Sequence, residues 1–298
     1  MNFIQSFWSK PIFDIEHRNS WNFRHDGGFP NAFLFYSTWV YSCLSIKKYY
    51  PNLQLVTDDY GIAIFRDALR LPYVKFSNAL NDLSDYHKGA WALGKLYTYQ
   101  LQKEPFCHID GDVFLFGPVL DKILKAPVFA QSFDLDMKVY SEIHPYVHEN
   151  FRNVPDEFQL EELEGPRQLK LINAGVIGGN ELEVFQRYTS RAFELVDNNQ
   201  DKIGGINGGI FNLYYEQFLL SNIVYRYNVD LATLYEEPDS EIDFAAFHKI
   251  PHDANYVHLL SHLKLSTAFL EQVVARLQLE FPEYYHRLLQ FSNEHSLV

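Results

Sequence analysis

The sequence predicts an α/β fold: a mostly parallel central sheet flanked by helices, with a C-terminal helical segment. Three observations lead there. Short apolar runs alternate with helix-length stretches from the N-terminus onward, the pattern that right-handed β-α-β crossovers produce. The 298 residues are ample chain for one large core. No internal repeat, low-complexity tract or linker breaks the pattern, so the whole chain reads as one domain.

The elements follow in order. Asn2 to Trp8 is a short apolar run before Pro11 and reads as a first strand, whose end would bring Ser6, Phe7 and Trp8 near a ligand crevice. A Gly-rich loop over His25 to Asn31 leads into a helical pattern from Ala32 to Tyr50, stopped by Pro51. The longest uncharged stretch, Gly27 to Ile46, contains Gly, Pro, Asn, Ser and Thr, too polar for a membrane span, and reads as a buried helix. Leu53 to Thr57 is a second strand, and Asp58-Asp59 reads as its end and the cap of the next helix, with nucleotide contact as the alternative. A helix over Gly61 to Leu71, a third strand over Tyr73 to Phe76 and a helix over Gly89 to Lys103 complete the first half.

That last helix feeds a strand at Phe106, about the fourth, and open α/β sheets bind ligands at such strand ends. Pro118 to Gly165 is charged, contains prolines and is weakly periodic; it receives no element and reads as an insertion or an acceptor-facing region. Leu171 to Asn180 is a strand in which Asn173-Ala174-Gly175 permits close approach of backbone or ligand. A helix over Glu181 to Asp197, a Gly-rich loop over Ile203 to Gly209 and a helical stretch holding Tyr215 to Leu220 follow. Tyr256 begins a strand that leaves into a loop ending at Lys264, and two helices separated near Pro282 close the chain.

Composition excludes some functions. The net charge of −13 argues against nucleic acid or an anionic membrane surface as main partner, because both need a basic footprint. Arg276 and Arg287 stand against Glu271, Glu280, Glu283 and Glu294 in the C-terminal tail, a poor lipid anchor, so no stable membrane insertion is expected. No secretory signal is visible. Cys43 and Cys107, both in apolar runs, read as reduced core thiols of a cytoplasmic protein, with a single disulfide as the alternative.

The chemistry centres on Phe106 to Phe116, read as a strand that carries Asp110 and Asp112 through apolar sequence. In an extended chain, side chains at i and i+2 share a face, so the carboxylates would converge. Convergent buried acids need a cation between them; a solvated Asp-Gly turn is the other reading of the same residues.

Four motifs in chain order carry a resemblance: Asp110-Gly111-Asp112, Asn173-Ala174-Gly175-Val176, Glu216-Gln217, and His258, Ser261 and Lys264 at three-residue spacing. Together they resemble D-x-D, N-[AS]-G-[VI], D-Q and H-x-x-G-x-x-K of GT-A-fold glycosyltransferases of the family 8 type. Glu216 stands where that family has Asp, and Ser261 where it has Gly. The resemblance implies a GT-A (Rossmann-like) domain over 1–298, with 1–117 binding nucleotide, 118–264 facing donor sugar and acceptor, and 265–298 closing the chain as helices. It implies Mn²⁺ or Mg²⁺ on Asp110, Asp112 and His258, a set of oxygen and imidazole ligands suited to such ions. It implies that Lys264 and Lys95 meet the donor, an exposed helix lysine being the other reading of Lys95, that Asn173 and Gly175 line the sugar with Ser261 near the diphosphate, and that Gln217 with Glu216 lies at the reacting centre.

The activity so implied is transfer of a hexose from a nucleotide-sugar donor, UDP-linked, to a glycan, lipid or small acceptor, with retention. Phe7 and Trp8 would stack on the base or pack in the core. Asp134 and Asp136 form a second D-x-D, read as a solvated turn or as sugar contacts, and His262 reads as a loop or core residue. Two other readings stay open: a sugar-nucleotide-binding protein that has lost turnover, and a haloacid-dehalogenase-like phosphatase with Asp110 as nucleophile. The phosphatase motif belongs on a first strand and has Thr or Val where this chain has Phe114.

Overall fold

Period-2 alternation sets the sheet from its first strand. In β1 (Asn2–Phe7), Phe3 and Phe7 enter one core, while Ile4, and Trp8 just beyond, enter the other. The structure is a computed structural model describing residues 1–13, 25–133, 138–159, 170–236 and 244–295.

After a 3₁₀ turn at His25–Gly28, α1 (Ala32–Lys47) begins at Asn31, whose side chain accepts a hydrogen bond from the Leu34 N–H. Every residue from Phe35 to Ile46 is buried, because α1 packs against β-structure on one side and the C-terminal helices on the other. Then come β2 (Leu53–Thr57), α2 (Asp59–Gly61), a π-helical turn (Ile62–Ala68) and β3 (Lys75–Ser77). The third strand starts later than its apolar pattern suggested. Tyr73 instead turns inward, and its hydroxyl donates to Gln5 Oε1 at 2.6 Å.

A 3₁₀ turn (Ala79–Leu83) precedes α3 (Leu93–Gln100), which leads to β4 (Phe106–Ile109) and β5 (Val113–Leu115). These two are separate strands, so the continuous strand expected through the acids is corrected: β4 ends at Ile109, and Asp110-Gly111-Asp112 is the turn between two sheets. The unassigned segment contains a central strand, β6 (Val128–Phe133), then α4 (Lys138–Asn150) and a 3₁₀ turn (Asp156–Phe158). Asp134 and Asp136 lie outside the described residues.

β7 (Ile172–Gly179), α5 (Leu182–Asp197), α6 (Gln200–Ile203) and α7 (Gly208–Leu213) follow. A π-helical turn (Tyr214–Phe218) joins α7 to α8 (Leu219–Arg226). The chain closes with β8 (Leu231–Thr233), β9 (Tyr256–His258), a 3₁₀ turn (Ser261–Leu265), α9 (Thr267–Glu280) and α10 (Pro282–His295).

Among the described residues these form a seven-stranded sheet of order β3-β2-β1-β4-β7-β6-β8, with β5 and β9 paired apart from it. β3, β2, β1 and β4 are parallel neighbours, and β8 is parallel to β6. β7 runs antiparallel to both β4 and β6. The fold is therefore α/β with a mostly parallel central sheet, as the alternation predicted. One core lies between the sheet and α1, α9 and α10; the other lies under α3, α5 and α8. Cys43 and Cys107 are free and buried, and burial pushes the Cys43 thiol up to about 12. Among the described residues no helix is long and apolar enough to cross a membrane.

Asp58 shows how the end of β1 is tied down. Its Oδ1 accepts from the Gly61 N–H at 2.9 Å, capping α2, and its Oδ2 accepts from Ser9 N at 2.8 Å and Ser9 Oγ at 2.7 Å. Both carboxylate oxygens are thus committed to structure. Asp58→Ala is expected to lower unfolding stability by about 1–2 kcal/mol, measured by urea denaturation, while leaving metal binding unchanged.

Candidate metal centre

The centre is built where β4 leaves the sheet. The Asp110 N–H still donates to Gly175 O of β7 at 2.9 Å, and the Val113 N–H donates back to Asp110 O at 3.2 Å, closing a tight turn. Gly111 allows that turn to lie against α1: a Cβ there would come within 2.5–2.7 Å of three Trp39 indole atoms. Ser42 Oγ donates to Val113 O at 2.6 Å, and Gln5 Nε2 reaches Asp110 O at 3.2 Å. β5 then pairs antiparallel with β9, placing Val113 opposite His258, and the Leu259 N–H donates to Asp112 O at 3.1 Å. Strand register therefore delivers His258 to Asp112 across a long sequence separation.

One ligand atom from each of Asp110, Asp112 and His258 falls within a 4.8 Å cluster, a size one divalent ion can span. His258 Nε2 lies 3.3 Å from Asp112 Oδ1. Asp110 Oδ1 is buried without a hydrogen-bond partner, the condition expected of an oxygen reserved for a cation. His108 Nδ1 lies 3.7 Å from it and also lacks a hydrogen bond. Burial, with Lys95 adding, holds His108 well below the usual histidine value, so it is a neutral ring, bonded to Ser6 Oγ at 2.8 Å. The donor set and the unpaired oxygen fit Mn²⁺ or Mg²⁺.

Two lysines balance the acids. Lys264 Nζ lies 2.5 Å from Asp112 Oδ2. Lys95 Nζ bridges Asp110 Oδ2 at 2.8 Å and Glu216 Oε1 at 2.9 Å. Burial disfavours charge on Lys95, but Asp110 and Glu216 hold it above the ordinary lysine value. Burial would likewise raise Asp112, yet the Lys264 ammonium keeps it well below the usual carboxylate range. Asp110 moves the other way, because burial outweighs Lys95 and the negative charges of Asp112 and Glu216 add to it. The centre opens into a cleft whose lining includes Trp8, Phe29, Trp39, Trp91, Lys95, Asp110, Asp112 and Lys264.

The remaining sequence-predicted residues occupy varied positions. Phe7 is 1% exposed, edge-on to Trp39 at 5.3 Å and to Phe65 at 4.8 Å; it packs in the core, the second of the two readings its sequence allowed. Trp8, on the opposite face of the strand, is the one that reaches the cleft. Glu216 and Gln217 are both buried in the π-helical turn between α7 and α8, and Glu216 is engaged by Lys95 rather than open to a ligand. Asn173 Oδ1 accepts from the Gly175 N–H at 3.1 Å. Gly175 leaves room for the imidazole: a Cβ would meet His258 Nδ1 at 2.4 Å and Gln131 Oε1 at 2.2 Å.

Ser261 has φ +42°, in the left-handed region that glycine adopts without cost. The acids follow the fourth strand, not the first, as the phosphatase reading would require. Sequence reasoning missed Gln131, whose Oε1 contacts His258 Nδ1 at 2.6 Å. It sits in Val128–Phe133, where two adjacent polar residues, Gln131 and Ser132, mask the strand's alternation.

Among solved structures, the chain is similar to an active-site mutant of LgtC (TM-score 0.45, 11% identity, 92% of this chain and 94% of that one). It is also similar to the galactosyltransferase LgtC in complex with donor and acceptor sugar analogues (TM-score 0.43, 12% identity, 92% and 96%). A third is the apo form of mouse xyloside xylosyltransferase 1 (TM-score 0.42, 13% identity, 86% and 96%). No curated protein sequence matches. The model of a family of unknown function (DUF6734) matches residues 1–291, and the chain belongs to that family.

The Lys95 bridge can be tested by its removal. Lys95→Met leaves Asp110 facing Glu216 without a cation, and breaking such a buried pair costs roughly 3–5 kcal/mol at pH 7. Asp110, already raised by burial, rises further without its partner. The folded state then binds more protons than the unfolded chain above about pH 4. The destabilisation caused by Lys95→Met, relative to the unmodified protein, is accordingly expected to be smallest near pH 4 and to grow as pH rises toward 7, in denaturant melts of both proteins across this range.

Proposed function

We propose that this chain is a metal-dependent glycosyltransferase of the GT-A type, working as one domain in a reducing, cytoplasmic setting. It moves a hexose from a nucleotide diphosphate sugar, UDP-linked, to a glycan, lipid or small acceptor, with retention. The observation that carries this reading is the convergence of Asp110, Asp112 and His258 beside Lys264, at the floor of an aromatic-walled cleft. Cations meeting at the end of a mostly parallel sheet suit a diphosphate.

Asp110, Asp112 and His258 would hold Mn²⁺ or Mg²⁺, which supplies a Lewis acid for the charge developing on a diphosphate leaving group. Lys264 adds a compact positive charge beside Asp112, suited to a phosphate oxygen. Trp8 and Trp39 give the cleft apolar walls that exclude water and accept a flat base. Glu216 holds Lys95, and Lys95 in turn holds Asp110, so that pair positions a metal ligand. Gln217 carries a neutral amide, which cannot serve as a strong nucleophile; retention in this reading proceeds by front-face attack, with the departing diphosphate held by the cations. Asn173 and Ser261 border the donor sugar and the diphosphate in the same reading.

One observation favours a second reading, a sugar-nucleotide-binding protein without turnover: Lys95 and Lys264 already balance the carboxylates. Calorimetry of UDP with and without Mn²⁺ tests the leading reading. Binding is expected to require the ion and to weaken at least about tenfold in Asp112→Asn and His258→Ala. Metal-independent binding, or unchanged binding in those variants, counts against it. Mn²⁺-dependent hydrolysis across UDP-glucose, UDP-galactose, N-acetylated UDP-hexoses and GDP-mannose separates the readings, since the second expects binding and no product.

A further inference from the structure

We propose that Gln131 is a positioning residue of the metal centre: it fixes His258 in the tautomer that presents a bare Nε2 to the carboxylates. The proposal rests on reading Asp110, Asp112 and His258 as ligands. Gln131 is fully buried in β6. Its Oε1 lies 2.6 Å from His258 Nδ1 and accepts from Tyr256 Oη at 2.5 Å.

A carbonyl oxygen only accepts, so the Nδ1 facing it carries the hydrogen, and a neutral imidazole then keeps its lone pair on Nε2. That nitrogen is 3.3 Å from Asp112 Oδ1. A lone pair against a carboxylate is an arrangement that a cation between them stabilises, and a hydrogen-bonded far nitrogen is how ligating histidines are oriented.

The surroundings lock this geometry. Tyr256 and His258 share a face of β9, so both donors reach the same oxygen. Gly175 presses from the other side, where any Cβ would lie within 2.2 Å of Oε1 and 2.4 Å of Nδ1. The amide is a poor choice for packing alone, because Gln131 Nε2 is buried without a hydrogen-bond partner. An apolar side chain of similar volume would fill the space without that cost.

The test measures tautomer and metal affinity separately. Nitrogen NMR of ¹⁵N-histidine-labelled, metal-free protein is expected to show His258 as the Nδ1–H tautomer. Gln131→Met is expected to shift it toward Nε2–H and to weaken Mn²⁺ binding in calorimetry about 10–100-fold. Gln131→Glu, whose carboxylate also accepts from Nδ1, is expected to restore the tautomer and most of the affinity. A general packing defect would not be rescued in that way.

An Nε2–H tautomer in the unmodified protein overturns the proposal, and this measurement needs no variant to fold. Unchanged tautomer and affinity in Gln131→Met overturn it as well. If the unmodified protein shows Nδ1–H but binds no Mn²⁺, the metal reading fails while the tautomer assignment stands.

Discussion

Two carboxylates must be kept at the point where β4 leaves the central sheet, and the neighbouring elements are arranged to meet that demand. Leaving one buried charge unpaired costs several kcal/mol, so each acid has its own counter-charge from a distant segment. Lys95 comes from α3 and Lys264 from the turn after β9. Glu216, from the π-helical turn, completes the bridge on the far side of Lys95. Burial and the neighbouring negative charges of Asp112 and Glu216 disfavour an ionised Asp110, and the placed lysines offset them.

Close backbone approach makes these pairings possible. Gly111 lies against the Trp39 indole, and Gly175 against the His258 imidazole. Gly178 sits 2.0 Å, measured from an added Cβ, from Phe106 O, so β4 and β7 can run side by side only with glycine there. The π-helical turn at Tyr214–Phe218 widens the helix by one residue and brings Glu216 toward Lys95, the kind of local irregularity that accompanies functional positions. Precision at the centre thus comes from positions where side chains are missing as much as from those present.

Much of this was legible in the sequence, for identifiable reasons. The first three strands, the long buried helix and the two C-terminal helices follow from apolar periodicity and from Pro51 and Pro282. The convergence of Asp110 and Asp112 was also foreseen, but from an extended-strand argument the structure replaces with a turn between two sheets. Phe7 and Trp8 were not separable by composition; strand alternation sends one to the core and the other to the cleft. β6 was hidden because the adjacent polar residues Gln131 and Ser132 interrupt its alternation; Gln131 is there for contacts with Tyr256 and His258. A left-handed Ser261 cannot be inferred from its residue type, since serine rarely adopts that backbone.

The two lysines also differ in what they can do. Lys95 is held between two carboxylates at 2.8 and 2.9 Å, and any movement toward a ligand would expose Asp110 and Glu216 to one another. Its position is therefore fixed by electrostatics. Lys264 pairs with Asp112 from a short 3₁₀ turn, with Gly28 behind its stem and the Phe29 ring 5.4 Å from its ammonium. An ion on Asp112 would take over the neutralising task of Lys264, whereas it could not relieve Glu216 of its need for Lys95. The geometry thus divides a cation held between two carboxylates from one paired with Asp112.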